Sequence, residues 1–203
     1  MKVIPTEIAD VKIIEPSVFA DERGYFLETW NQAAFAKAGL DLSFVQDNQS
    51  RSHKHVLRGL HYQLEQTQGK LVRVVKGAIF DVAVDIRRSS ATFGRWVGVE
   101  LSEDNHRMLW IPGGFAHGFM ALTDDTDLTY KCTDFWAARH ERTIVWNDPE
   151  LAIDWPLPKG ALPWYRPRTR RARRSAARMS SHDGSSSGIG RAIGLCPAGR
   201  KAG

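Results

Sequence analysis

Four side chains in the middle of the sequence have the chemistry needed to move protons. They are His61 in VLRGLHYQ, Lys70 in KLVRVVKG, His117 in IPGGFAHGF and Tyr130 in TYKCTDFW. A neutral imidazole has an unperturbed pKa of about 6.5 and is therefore a competent general base at cellular pH. Taken alone, each residue is at least as typical of a structural histidine, a surface lysine or a packing tyrosine. No single motif decides between catalysis and structure.

The alternation of side chains along two predicted strands indicates where polar faces lie. In AIFDVAVDIR the large apolar residues share one face of the strand, and Asp81 and Asp85 share the other. In KLVRVVKG, Lys70 points the same way as Val72 and Val74. Acids and amines on one face suit a polar cavity. A solvated outer face has the same pattern and, from periodicity alone, is the more common origin of it.

A catalytic metal is the main alternative use of the histidines. Five of them could supply ligands to a metal-dependent barrel enzyme: His53, His55, His61, His106 and His117. The segment SRSHKHVL is basic and has no acidic residue at short spacing, which disfavours a cation site. The two cysteines are far apart and have no partner at metal-ligand spacing. We therefore expect neither a metal site nor a disulfide framework.

The elements that must position these residues are mostly strands. Through residue 157, short runs of β-branched and aromatic residues alternate with turn signals, which is typical of an antiparallel barrel or sandwich. One segment, 31–38, reads as a helix that Asn31 caps and Gly39 stops. The predicted strands are 11–14, 24–30, 44–50, 56–63, 70–76, 78–86, 95–101, 107–111, 116–122, 126–134 and 142–146.

The charge distribution divides the chain in two. The 203 residues carry a formal charge of +5, but residues 166–203 alone hold ten Lys and Arg against one Asp. Residues 1–165 are therefore mildly acidic, with 18 basic and 22 acidic side chains. We predict one barrel domain over 1–165 and a basic, disordered tail over 166–203. The abrupt change is also what a shift of reading frame would produce.

The charge and hydropathy patterns argue against two classes of partner. An arginine-rich tail binds phosphate backbones without specificity, so we do not expect a nucleic-acid partner for the folded body. The sequence has no apolar run of signal-peptide or membrane-spanning length. We expect a cytoplasmic protein without a membrane partner.

Eight motifs, taken in order, closely resemble the dTDP-4-dehydrorhamnose 3,5-epimerase family over residues 1–158. They are FADERGYFLETW, FVQDNQSRS, VLRGLHYQ, QGKLVRVVKGAIFDVAVDIR, SSATFGRWVGVELS, LWIPGGFAHGF, YKCTDFW and WNDPELAIDWP. The resemblance implies a cupin-type jelly-roll β-barrel, all-β with few short helices, and a homodimer. It also implies inversion of carbons 3 and 5 of a dTDP-4-keto-6-deoxy-glucose without a redox or metal cofactor.

By the same resemblance, residues of this chain acquire roles. His61 is the base, Tyr130 the acid on the opposite ring face, and Lys70 stabilises the enolate oxygen. Arg23 and Arg58 suit the pyrophosphate. The residues expected to contact the dTDP-sugar are Phe19, which lines or stacks on the thymine, and Arg23, Glu28, Gln46, Asp47, Asn48, Arg58, Lys70, Asp81, His117 and Glu141.

The sequence departs from the family after residue 158. The family has an S-x-K-D type stretch there, whose Asp pairs with the catalytic histidine, and this chain has WYRPRTRRARR instead. A lost orienting carboxylate lowers turnover. Two alternatives follow: a catalytically impaired barrel that binds dTDP-sugars, and a single-site epimerase or ketoisomerase of a related nucleotide sugar.

Overall fold

Two mostly antiparallel sheets face each other across a hydrophobic core in this computed structural model, which describes residues 1–165 and the backbone of 172–173. The elements, in chain order, are β1 (Lys2–Pro5), β2 (Lys12–Glu15), β3 (Val18–Asp21), β4 (Gly24–Leu27), α1 (Gln32–Lys37), β5 (Gln46–Ser52), β6 (Val56–Gln63), β7 (Lys70–Lys76), β8 (Ala78–Asp85), β9 (Trp96–Ser102), β10 (Met108–Ile111), β11 (Phe115–Ala121), β12 (Thr126–Cys132), β13 (Glu141–Ile144), β14 (Trp164–Tyr165) and β15 (Ala172–Arg173).

The strand order shows how the chain alternates between the sheets. The six-stranded sheet runs β1-β2-β10-β7-β12-β5, and the seven-stranded sheet runs β15-β13-β6-β11-β8-β9 with β14 beside β6. Consecutive strands such as β7 and β8 therefore lie in opposite sheets. This closure is that of a jelly roll, and it confirms the prediction of an all-β, cupin-type barrel. Strands β3 and β4 pair only with each other and form a separate hairpin.

The face of each strand agrees with the period of two. Val72, Val74 and Ala83 belong to the hydrophobic cluster between the sheets, here called the interior core. Asp81, which alternates with the apolar side chains of β8, points to the same side and is 0% exposed. The interpretation of the acidic face of β8 as a solvated outer surface is therefore wrong, because Asp81 and Asp85 are both buried, 0% exposed.

Two further clusters cover the outer faces of the sheets. The outer core packs Val82 and Val84 of the seven-stranded sheet against Trp155 and the segment that precedes it. On the six-stranded sheet, α1 places Phe35 against Leu71. The Asn31 side chain caps α1 by accepting a hydrogen bond from the Ala34 N–H, as the sequence predicts.

All eleven predicted strands and the predicted helix are present, with ends that differ by a few residues. Four strands were not predicted: β1, β3, β14 and β15. They have two to four residues each, too short for a clear alternation of polar and apolar side chains. Among the described residues, no helix is long and apolar enough to cross a membrane. The predicted disordered tail, 166–203, lies outside the described residues except for the backbone of β15.

A buried ionic cluster fastens the end of β8. Both carboxylate oxygens of Asp85 accept hydrogen bonds from the Arg87 guanidinium, and Ser90 and Thr92 also donate to this carboxylate. These donors hold the pKa of Asp85 well below its usual range, against the opposing effect of burial. The Arg87 guanidinium also forms an ion pair with Asp10, with 2.7 Å between Nη1 and Oδ2, and this ion pair connects the end of β8 to the turn before β2.

Strands β6 and β11 approach each other closely at two glycines. Between the pairs His61–His117 and Arg58–Phe119, β6 has one residue more than β11, which is a β-bulge at Gly59 and Leu60. Gly59 has φ +128°, and a Cβ there would collide with the backbone of Gly118. The bulge sets the direction in which His61 leaves the strand.

We expect Gly59→Ala to lower the free energy of unfolding by about 3 kcal/mol or more, because backbone strain and overpacking add. Gly94→Ala is the matched control: Gly94 has φ +77° but no atom within 4 Å of a new Cβ. It should cost only about 1 kcal/mol. Urea unfolding followed by circular dichroism measures both. Equal losses in the two variants would contradict the close approach of the strands.

Candidate active site

Two histidines stand side by side on the interior face of the seven-stranded sheet. His61 of β6 and His117 of β11 are directly opposite each other in the pairing of these strands. The neighbouring side chains Leu60 and Tyr62 turn the other way, into the outer core. The register therefore brings together two residues that are 56 positions apart in the sequence.

The His61 ring has polar neighbours at its Nδ1 atom. The Thr143 hydroxyl lies 3.1 Å from Nδ1, within hydrogen-bond distance. A carboxylate oxygen of Glu141 lies 3.9 Å from the same nitrogen. Both residues are on β13, the next strand of the sheet, and their spacing of two puts them on one face. Glu141, one of the residues expected to contact the dTDP-sugar, thus lies beside His61.

His117 is bound to a buried carboxylate. Its Nε2 atom lies 2.7 Å from Oδ1 of Asp81, and the Asp81 side chain is 0% exposed. The other carboxylate oxygen, Oδ2, is buried and has no hydrogen-bond partner among the described residues. A buried carboxylate that uses one oxygen on a histidine and leaves the other in the interior orients the ring and adds negative charge to the cavity.

Lys70 enters the same interior from the six-stranded sheet. It is the cross-strand partner of Cys132 on β12. Burial lowers the pKa of Lys70, because removal from water disfavours the ammonium form. Cys132, Asp81 and Glu141 oppose that shift, since negative charge nearby favours the ammonium. The lysine thus comes from one sheet, and the two carboxylates that favour its ammonium form come from the other.

Tyr130 also belongs to the six-stranded sheet and packs, half-buried, against the interior core. Its neighbour across the strands is Asn48 of β5, whose amide donates to the Cys132 sulfur at 3.6 Å. Gln46 in turn donates to the Asn48 side chain at 3.1 Å. Burial also raises the pKa of the Cys132 thiol. A polar wall thus continues from Lys70 along β12 and β5.

Two predicted binding residues have other surroundings. Asp47 alternates with Gln46 and Asn48, so its side chain points to the outside of the sheet, where it forms an ion pair with Lys131 at 2.6 Å. Arg58 is exposed, and its guanidinium donates to the Ser52 hydroxyl and to the Arg51 carbonyl. These contacts hold Arg58 at the end of β6.

Three more predicted binding residues lie on or beside the hairpin. Phe19 is 65% exposed. Arg23 is 83% exposed and pairs with Asp21, and Glu28 accepts a hydrogen bond from Asn31. None of the hydrogen bonds or ion pairs found for Phe19, Arg23 and Glu28 within residues 1–165 reaches the interior of the barrel.

Three residues of the site were missed from the sequence. Thr143 stands next to His61, Cys132 stands across from Lys70, and Trp136 has an exposed ring and donates its backbone N–H to Gln46. Only Thr143 had a usable signal, since it shares a strand face with the predicted Glu141. No group of three or more potential metal ligands is found in the part of the chain that the structure describes.

The comparisons with known proteins agree on one family. A model of the family described as dTDP-4-dehydrorhamnose 3,5-epimerase matches residues 5–188. The protein of that name from Pseudomonas aeruginosa PAO1 is 60% identical over 163 residues, which are 80% of this chain and 90% of the relative.

Solved structures give the same result. The dTDP-6-deoxy-D-glucose-3,5-epimerase of Legionella pneumophila, in complex with dTDP-4-keto-L-rhamnose, is 55% identical with a TM-score of 0.75, over 78% of this chain and 85% of that one. The dTDP-4-dehydrorhamnose 3,5-epimerase of Bacillus anthracis, with TDP and PPi bound, is 46% identical with a TM-score of 0.76, over 80% and 92%.

We expect Asp81→Asn to lower the pKa of Lys70 further, because the variant removes an anion that favours the ammonium while burial is unchanged. The Lys70 amine should then lose its proton at a lower pH than in the parent. Nuclear magnetic resonance (NMR) titration of lysines labelled with ¹³C at Cε measures this, with Lys70→Met to assign the signal. Glu100 is exposed, and Glu100→Gln is the control that should leave the pKa of Lys70 unchanged. A higher Lys70 pKa in Asp81→Asn would contradict the arrangement.

Proposed function

The chain belongs to the dTDP-4-dehydrorhamnose 3,5-epimerase family, and from this we propose that the interior histidine, lysine and tyrosine carry out the family's reaction. The substrate is dTDP-4-dehydro-6-deoxy-D-glucose, and the product is dTDP-4-dehydro-L-rhamnose. The observation that carries the proposal for the residues is the placement of His61 on one sheet and of Lys70 and Tyr130 on the sheet that faces it.

The reaction needs only proton transfers. Carbons 3 and 5 are both adjacent to the ketone at carbon 4, so their hydrogens are acidic when the resulting enolate is stabilised. A base removes the proton from one face of the ring, and an acid returns a proton to the other face. The chemistry required of the chain is therefore a base, an acid and a positive charge near the ketone oxygen.

His61 and Tyr130 suit the first two roles because they come from opposite sheets. His61 belongs to the seven-stranded sheet and Tyr130 to the six-stranded sheet. A sugar ring between the sheets has one face toward each. His61 takes the proton from carbon 3 or carbon 5, and the Tyr130 hydroxyl delivers a proton from the other side, which inverts the centre.

Lys70 suits the stabilisation of the enolate. Its side chain is half-buried, and a fixed positive charge in a water-poor site is strongest where negative charge develops. Asp81 and Glu141 favour the ammonium form that this role needs. Asp81 also holds the ring of His117 in place, which leaves His117 oriented for a contact with the sugar.

The remaining binding residues suit the nucleotide. Gln46 and Asn48 line the wall beside Tyr130, and the guanidinium of Arg58 at the end of β6 suits pyrophosphate oxygens. Asp47 points outward and is expected to contribute through its backbone or through the strand it stabilises. Phe19 offers an exposed ring for the thymine.

A homodimer accounts for the position of the hairpin. The hairpin exposes several large apolar side chains, among them Phe19, Tyr25 and Phe26, and it pairs with no other strand among the described residues. An apolar hairpin that carries predicted substrate contacts but makes no bond to its own cavity is suited to cover the cavity of a second copy. Phe19 and Arg23 would then act on the substrate of the partner subunit.

The sequence after residue 158 affects the expected rate of epimerisation. Because the family's S-x-K-D type stretch is replaced by WYRPRTRRARR, we expect slower turnover than in relatives that have it. The residues on the two sheets nevertheless supply every group that the proposed reaction uses.

We expect the purified protein in heavy water to exchange the hydrogens at carbons 3 and 5 of dTDP-4-dehydro-6-deoxy-D-glucose, as followed by proton NMR. His61→Ala should slow the exchange by about 100- to 10,000-fold, the usual contribution of a general base. Tyr130→Phe should form little product of inverted configuration, and the exposed His53→Ala should match the parent. Binding of the nucleotide sugar without exchange by the parent would mean a binding barrel rather than an enzyme.

The dimer predicts complementation between two inactive variants. If Arg23 acts in the partner's site, a mixture of Arg23→Ala and His61→Ala chains forms mixed dimers with one intact site of two. Equal amounts, denatured and refolded together, should recover about a quarter of the parental activity. Recovery is measured by the same exchange assay, and mass by light scattering. If the protein is a dimer but the mixture recovers no activity, Arg23 acts in the site of its own subunit. If the protein is a monomer, the proposal of a homodimer is wrong.

A further inference from the structure

The contact between Thr143 and His61 takes no part in the proton transfers proposed above. Thr143 is 0% exposed, and it is the cross-strand partner of His61 in the pairing of β13 with β6. Its hydroxyl oxygen lies 3.1 Å from Nδ1 of the ring. Because both backbones are held by the sheet, this distance is set by strand register rather than by flexible side chains.

The charge nearby decides which of the two atoms donates. A hydroxyl both donates and accepts, so the distance alone allows either direction. The Glu141 carboxylate lies 3.9 Å from the same Nδ1 atom, with its side chain 13% exposed. A negative charge at this distance favours a hydrogen on Nδ1 over a lone pair there. The charge of Glu141 therefore favours the arrangement in which Nδ1–H donates to the Thr143 hydroxyl.

We propose that Thr143 is a positioning residue that holds His61 in the Nδ1–H tautomer through this hydrogen bond. In a neutral imidazole with hydrogen on Nδ1, the lone pair of the base is on Nε2. The proposal rests on the function proposed above, since it concerns how His61 is kept ready to accept a proton. In this proposal Thr143 acts on the reaction only through His61.

The same bond acts again after proton transfer. When Nε2 accepts the proton, the ring becomes an imidazolium and its Nδ1–H bond to Thr143 becomes charge-assisted and stronger. Glu141 adds a favourable interaction with the cation. Loss of the hydroxyl should therefore lower the pKa of His61 as well as loosen the ring.

The tautomer can be measured without turnover. We expect two-bond ¹H–¹⁵N correlation spectra of histidine-labelled protein, without substrate and above the pKa of the ring, to show hydrogen on Nδ1 of His61. The signal that is lost in His61→Gln assigns the residue. Hydrogen on Nε2 in the parent protein would overturn the proposal, whatever the activity.

The matched variants are Thr143→Val, which keeps the shape of the side chain, and Thr143→Ser, which keeps the hydroxyl. We expect Thr143→Val to lower kcat about tenfold while KM changes little, and Thr143→Ser to restore most of the loss. The control is Thr129→Val. Thr129 lies on the opposite sheet, between Leu128 and Tyr130, whose side chains face the interior core, so the Thr129 side chain points to the outer face.

The pH profile separates positioning from a merely structural role. A base works when neutral, so kcat/KM rises as the pH passes the pKa of His61. A lower pKa in Thr143→Val, and likewise in Glu141→Gln, moves this rise to lower pH. A parental kcat and profile in Thr143→Val would overturn the proposal, as would a loss that Thr143→Ser does not restore. Absence of exchange in the parent protein would count against the proposed function and leave the tautomer measurement to decide on Thr143.

Discussion

The burial of a lysine inside the barrel is the constraint on which the rest of the site depends. A buried ammonium without a partner costs several kcal/mol, and burial alone lowers the pKa of Lys70. Asp81 and Glu141 counter that cost, and both belong to the sheet opposite Lys70. The carboxylates that favour the ammonium form of Lys70 therefore lie on the sheet opposite the lysine itself. A site of this kind requires both sheets to be in register at once.

That register is maintained by parts of the fold that take no part in chemistry. The outer core packs against the outer face of the seven-stranded sheet, so β6, β8 and β11 cannot shift independently. Gly59 and Gly118 let β6 and β11 approach more closely than any side chain would allow. At the other end of β8, Arg87 ties Asp85 to Asp10. Rigidity around the site therefore comes from packing, close backbone contact and one buried ion pair.

Local sequence pattern predicted what depends on a single strand. The period of two placed Lys70 on the same face as Val72 and Val74, and Asp81 on the same face as Asp85. The same period could have shown that Asp47 points away from Asn48, although the family resemblance grouped them. Contacts between side chains on different strands could not be predicted from the sequence pattern, because the register of two strands depends on the whole fold. The meeting of Thr143 with His61 is of that kind.

The jelly-roll topology explains how one short stretch of sequence serves both sides of a cavity. Strands β7 and β8 are joined by a tight turn at Gly77, yet they enter opposite sheets, so Lys70 and Asp81 face each other. The same alternation separates His61 from Tyr130. On the proposed roles, base and acid cannot exchange sides, because the interior core keeps the sheets apart. Inversion at a ring carbon needs a proton to leave from one face and return to the other, and on the proposed roles the base and the acid come from different sheets.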